Sequence, residues 1–170
     1  MSSVKTQLLL QELNAEYKAT RHCLERIPES TFEFKPHPKS MNMHYLVLLV
    51  AEIPLWIKHM IEDGEIDFVT FKHEQPKTTG DVVAFFERNM EGARKALQAT
   101  SDEKLETEKF TLKANGQVLY TAHKLADIMT TLNHWVHHRG QLTVYMRLND
   151  LAVPSIYGPS ADEKNFTSPG

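Results

Sequence analysis

Apolar residues recur at three-to-four spacing in four long stretches of this chain, and each stretch reads as an amphipathic helix. The first covers about residues 4–26, with Leu10, Leu13, Tyr17, Leu24 and Ile27 on one stripe and Pro28 as its stop. A polar, proline-punctuated connector leads to Ser40, the expected N-cap of a second helix that ends near Gly64. Leu46, Leu49, Val50, Ile53, Ile57 and Met60 form its stripe, and Pro54 inside it removes one backbone hydrogen bond and predicts a kink. Residues 65–77 read as a loop. Thr79 then caps a third helix over about 80–99, which turns Val82, Val83, Phe86, Met90, Ala93 and Leu97 inward. Around Asn115-Gly116 the period changes to two: Phe110 and Leu112 alternate before it, Val118 and Tyr120 after it, as in a hairpin with a tight turn. The fourth helix starts near Thr121 or His123 and runs to about Asn149, and residues 153–170 form an irregular Pro/Gly/Ser-rich tail.

These elements predict an all-α domain spanning residues 1–170, an antiparallel four-helix bundle with a short β-hairpin before the last helix. The connectors leave the helix order open. Such bundles build ligand and metal sites from side chains on facing helices.

Composition narrows the partners. With 41% apolar residues, 24% charged residues and a net charge of −3, the chain reads as a soluble globular protein. Its scattered Lys and Arg give no reason to expect nucleic acid. No signal peptide or membrane span is read in the sequence, and the cytoplasm is the expected compartment. The single cysteine, Cys23, excludes an intramolecular disulfide and reads as a buried apolar residue of a helix. The methionines at 41, 43, 60, 90, 129 and 146 read as core fillers.

Nine histidines supply the candidate chemistry. His134 and His138 lie four apart on the fourth helix, so both imidazoles leave one face and can reach one metal ion or one substrate proton. Imidazole is a common ligand of zinc, nickel and iron, while a solvated or core-edge pair is the competing structural reading. His137 points away from the pair, toward a rim or interface. His37 and His73 fall in polar loops and read as solvated, and His22, His59 and His123 lack a partner at ligand spacing. Gly140, inside the helix, suggests a close helix–helix approach, and Arg139 and Gln141 suggest polar contacts at a subunit face. Trp56 and Trp135 read as core or interface anchors.

The run HWVHHRGQLTVYMRL followed by VPSIYGPSADE resembles the C-terminal half of the DinB-like, damage-inducible family, and MNMHYLVLLVAEIPLWIKHMIEDGEIDF is similar to its second helix. The resemblance implies a helical bundle with a three-histidine metal site, two ligands from the last helix and one from the second. The last-helix pair maps onto His134 and His138. The second-helix ligand would precede the Val50-Ala51-Glu52-Ile53-Pro54-Leu55-Trp56 run, where this chain has Leu49. One ligand position is thus apolar, and a two-imidazole site should hold nickel or zinc weakly or not at all. Glu52 and His44 are the candidate replacements; His44 lies on a different face of the helix.

Three functions remain open: a protein with a degenerate two-histidine metal site, a non-catalytic bundle that takes a small apolar ligand or a protein partner in the former metal pocket, and, as the resemblance implies for some members of the family, a metal-dependent thiol transferase or isomerase. Metal-free acid–base chemistry by the pair would need an orienting carboxylate that the sequence does not identify. A homodimer is the expected assembly. The tail, with Tyr157, Asp162 and Glu163, could fold over the mouth of the bundle.

Overall fold

The structure, a computed structural model, describes residues 4–164. Within them lie five α-helices: α1 (Val4–Glu25), α2 (Met43–Glu62), α3 (Thr79–Ala99), α4 (Asp102–Thr107) and α5 (Lys124–Leu148). They are joined by a small sheet of β1 (Glu65–Asp67), β2 (Lys109–Ala114) and β3 (Gln117–His123). The molecule is mostly helical, and the last residues of the expected tail, 165–170, lie outside the described part.

Helix ends show local chemistry at work. Asn42, not Ser40, caps α2 by accepting from the Tyr45 amide at 2.9 Å, and Thr78, not Thr79, caps α3 through the Asp81 amide at 3.1 Å. The first turn of α1 is closed from a distance: Asp102 accepts from the Lys5 and Thr6 amides at 3.1 and 2.9 Å. A carboxylate there satisfies orphan donors and matches the positive end of the helix dipole. Gly64, at φ +72°, terminates α2 in the left-handed conformation that costs glycine little.

The hairpin forms as read, with Asn115 and Gly116 both at positive φ, the backbone of a tight primed turn. A third strand was not legible. β1 has three residues, too few for an alternation, and falls in the expected 65–77 loop. It pairs parallel to β2, and the Asp67 carboxylate accepts from the Asn115 and Gly116 amides at 3.0 and 2.6 Å, pinning the turn. The sheet therefore has order β1-β2-β3 rather than being a lone hairpin. The short helix α4, capped by Ser101 on the Lys104 amide, was also missed, since six residues cannot show a helical period.

The core lies among α1, α2, α3 and α5, with α2 packed most extensively on α3 and α5. Leu13, Leu24, Ile53, Ile57, Phe86, Trp135 and Leu142 are buried there, as is Cys23, whose thiol burial pushes up to about 12. Met43, Met60, Met90 and Met146 are core residues, but Met129 is exposed because it lies on the outer face of α5. Met43–Glu62 is long and apolar enough to cross a membrane; in this fold it is the packed central helix, with over half of it buried.

Pro54 sits inside α2 without ending it. Lacking an N–H, it leaves the carbonyl of Val50, four residues back, without its helical donor. The Trp135 indole N–H donates to that carbonyl at 2.9 Å. One residue on, the Ala51 carbonyl accepts from the Asn89 amide side chain at 2.9 Å. Trp135→Phe should therefore destabilise the protein by about 1–3 kcal/mol, the range for orphaning a buried acceptor. The loss should shrink in a Pro54→Ala background, where the substituted position regains a backbone N–H that can serve Val50. A double-mutant cycle by urea unfolding measures this coupling, and strictly additive losses would contradict it.

Candidate functional site

On α5, Asp127, Thr131, His134 and His138 follow one another at spacings of three and four, so they line one face of the helix. His134 and His138 are half-buried and turn their rings together, with centroids 4.4 Å apart and Nε2 atoms 2.7 Å apart. Gln141 orders this contact. His138 Nδ1–H donates to Gln141 Oε1 at 2.8 Å, which leaves a lone pair on His138 Nε2 to accept from His134 Nε2–H when both rings are neutral. Burial, first, and then the neighbouring histidines hold His134 below the ordinary imidazole range. Burial also lowers His138, opposed by the bond to Gln141. His137 is exposed, its ring 5.1 Å from that of His138.

His134, but not His138, lines a pocket of about 260 Å³ between α2, α5 and the sheet. Trp56 lies 5.7 Å from His134, ring to ring, and with Met60, Phe71 and Phe110 forms apolar wall. Trp56 is thus a pocket residue, whereas Trp135 is the core anchor. Leu49 lines an adjoining pocket of about 310 Å³, which shares Trp56, Phe68 and His73 with the first.

Neither candidate replacement ligand is idle. His44 stacks on Phe32 at 4.5 Å, and its Nε2 contacts the Pro76 carbonyl at 2.8 Å. Glu52 is buried and accepts from the Trp56 indole N–H at 2.9 Å and from His73 Nδ1–H at 2.8 and 3.0 Å. His73 was expected to be a solvated loop residue; the loop instead folds it back onto α2, a contact with no signal in local spacing. The carboxylate holds His73 with Nδ1 protonated, so a neutral ring carries its lone pair on Nε2. The orienting carboxylate that metal-free acid–base chemistry needs thus exists in this wall, but it serves His73 rather than the 134/138 pair.

As a metal site the arrangement is incomplete. Two nitrogens at about 2.0–2.1 Å from a tetrahedral ion stand about 3.3 Å apart, so the pair must open by about 0.6 Å to chelate. Among the described residues no group of three His, Cys, Asp or Glu is placed to hold an ion. The residues present fit a two-nitrogen chelate and not a closed three-ligand shell.

Three expectations fail around the pair. Gly140 faces open space, with nothing within 4 Å of where a methyl would stand, so no described helix approaches it. Arg139 is not at a subunit face: it is 2% exposed, ion-paired to Glu16 at 2.5 Å, and donates to Thr20 Oγ1 and Tyr157 Oη at 3.1 and 2.9 Å. The tail follows Arg139 to the α1 side. Tyr157 Oη also donates to Glu16 at 3.0 Å, Glu163 pairs with Arg26, and Asp162 pairs with Arg147. No described tail residue lines the pocket beside His134.

A sequence model of the DinB family matches residues 1–167. The chain belongs to the DinB family. Over 36 residues this DinB protein is 53% identical to the uncharacterized protein YrdA of Bacillus subtilis strain 168. That match covers 21% of the chain and spans about a fifth of the relative, 22% of its length. The fold is similar to the crystal structure of a DinB-like protein, YjoA, from Bacillus subtilis, with TM-score 0.71 and 18% identity over 93% of this chain and 99% of that one. It is also similar to a DinB-like protein from Bacillus cereus, with TM-score 0.66 and 22% identity over 89% and 97%. At such identities the likeness speaks to the fold alone.

The lowered histidines have a consequence for pH. Both rings bind protons less readily in the folded than in the unfolded chain, so their contribution to stability is full above the ordinary value of 6.5 and is lost as pH falls through 6.5 toward the lower folded values. Urea unfolding with chelator present should show stability falling between pH 7.5 and 5.5. The fall should be shallower in a His134→Gln/His138→Gln variant; an unchanged slope would contradict the assignment.

Proposed function

We propose that this DinB protein is an antiparallel four-helix bundle that takes a small, mostly apolar molecule into the pocket beside His134. In this reading the His134/His138 pair holds nickel or zinc weakly, as a degenerate site in which Leu49 occupies the position of the third ligand. The observation that carries the reading is the pocket itself: about 260 Å³ walled by Trp56, Met60, Phe71 and Phe110, with an imidazole in its side. Ligand pockets of this kind are mainly hydrophobic, with a few polar groups that fix orientation. An apolar residue at position 49 supports the same reading, since it withholds a donor and extends the oily wall of the adjoining pocket.

Binding is tested with 2-naphthol, a neutral aromatic probe. It should quench the tryptophan fluorescence saturably, and Met60→Trp, which crowds the pocket, should weaken binding at least tenfold by titration calorimetry, with circular dichroism verifying that the variant is folded. Unsaturable quenching would remove the ligand reading.

The metal half is tested separately. Protein stripped of metal should take up zinc or nickel with low affinity, and Leu49→His should tighten uptake at least tenfold by supplying a third imidazole. Tight one-to-one uptake by the unmodified protein in a calorimetric titration would overturn the degenerate-site reading.

A further inference from the structure

The pocket beside His134 has one feature that a purely apolar ligand does not explain. Asp127, two turns before His134 and so about 10 Å along α5, stands in the same wall with its residue 6% exposed. Its Oδ1 accepts from the Tyr120 hydroxyl at 3.0 Å, while its Oδ2 is buried and accepts from no group among the described residues. Desolvation holds this carboxyl above the ordinary range, opposed only by the Tyr120 bond. Half of a buried carboxylate's acceptor capacity is thus unused, in an environment where a charge without a partner is strongly disfavoured. The first turn of α5 offers the positive end of a helix dipole, which compensates in part and supplies no hydrogen bond to Oδ2.

The rest of the lining is matched to a cation. Trp56, Phe68, Phe71, Phe110 and Tyr120 contribute aromatic rings, and among the described residues no lysine or arginine lines the pocket. His73, in the same lining, already has the Glu52 carboxylate against its Nδ1. Aromatic faces together with one carboxylate and no fixed positive charge form the chemistry that selects organic ammonium ions. Neutral apolar molecules would use the rings and leave Asp127 unanswered.

We propose that the pocket is an amine site: it binds a small primary ammonium compound with an aromatic or branched apolar body, the ammonium placed toward Asp127 and the body against Trp56, Phe71 and Phe110. The inference rests on the reading of this pocket as a small-molecule site and names the class of that molecule. Because Oδ2 is buried, an ammonium reaches it only when a side chain of the lining shifts. Tyr120 is suited to that movement, being 44% exposed and tethered to its neighbours by an edge contact with Phe110 and this single hydroxyl bond.

The test compares 2-phenylethylammonium with 2-phenylethanol, a neutral molecule of the same shape, by titration calorimetry on the whole protein near pH 7. The ammonium should bind the unmodified protein at least tenfold more tightly than the alcohol. Asp127→Asn should cut the ammonium affinity at least tenfold and change that of the alcohol by less than about threefold, with circular dichroism verifying the fold. Should that variant not fold, the ammonium-to-alcohol ratio in the unmodified protein decides alone. Alcohol binding as tightly as the ammonium would overturn the amine inference and leave the apolar-ligand reading standing. An ammonium preference that survives Asp127→Asn would also overturn it, since another group would then be responsible. No binding by either compound, with 2-naphthol also failing, would remove the pocket reading and the inference together.

Discussion

The hydrogen bond from the Trp135 indole to the Val50 carbonyl is the contact on which the arrangement of this molecule turns. It exists because Pro54 cannot donate to Val50, which leaves a strong acceptor inside a dry core. A carbonyl in that position has to be answered by a side chain, and only one able to cross from a neighbouring helix can answer it. Trp135 fixes α5 against α2 both along the axis and in rotation. His134, its neighbour in sequence, is thereby brought to Trp56 and the pocket, and His138 follows one turn later. Asn89 performs the parallel task for α3 by donating to Ala51.

Arg139 secures α5 toward α1. Its guanidinium is nearly fully buried and meets Glu16, Thr20 and Tyr157, so its charge and most of its donors are answered. Removing one partner of such a pair would leave a buried charge uncompensated, which costs about 3–5 kcal/mol in comparable cases. The same cluster recruits the C-terminal segment: Tyr157 reaches both charges, and Glu163 and Asp162 bind Arg26 and Arg147. The tail is a clasp across α1 and α5 rather than a lid over the pocket.

Held in this way, α5 presents its remaining face to the pocket. At one end of that face His134 enters the lining, backed by His138 and Gln141, and at the other stands the buried carboxyl of Asp127. Across from that face stand Trp56 and His73, both hydrogen-bonded to Glu52, which lines the adjoining pocket. The polar groups are few and each is oriented, while the volume between them is apolar. In the small-molecule reading proposed for this pocket, such a lining meets a ligand with one polar end.

Much of this was present in the pattern of residues. Four long amphipathic stripes, the Asn115-Gly116 turn and the HxxxH spacing of His134 and His138 all depend on neighbours within a turn or two, so periodicity and local sterics suffice to determine them. The family was legible for the same reason, since its marks are contiguous runs. What depended on distant partners was not legible. β1 exists only because β2 lies beside it, His73 has a role only because its loop returns to Glu52, and Arg139 is interior only because Glu16 arrives from over a hundred residues away. Asp127 gives no local sign that its second oxygen has no partner among the described residues. Chain spacing sets which side chains share a helix face; burial and pairing are set by what the other helices bring, and that is a property of the packed molecule alone.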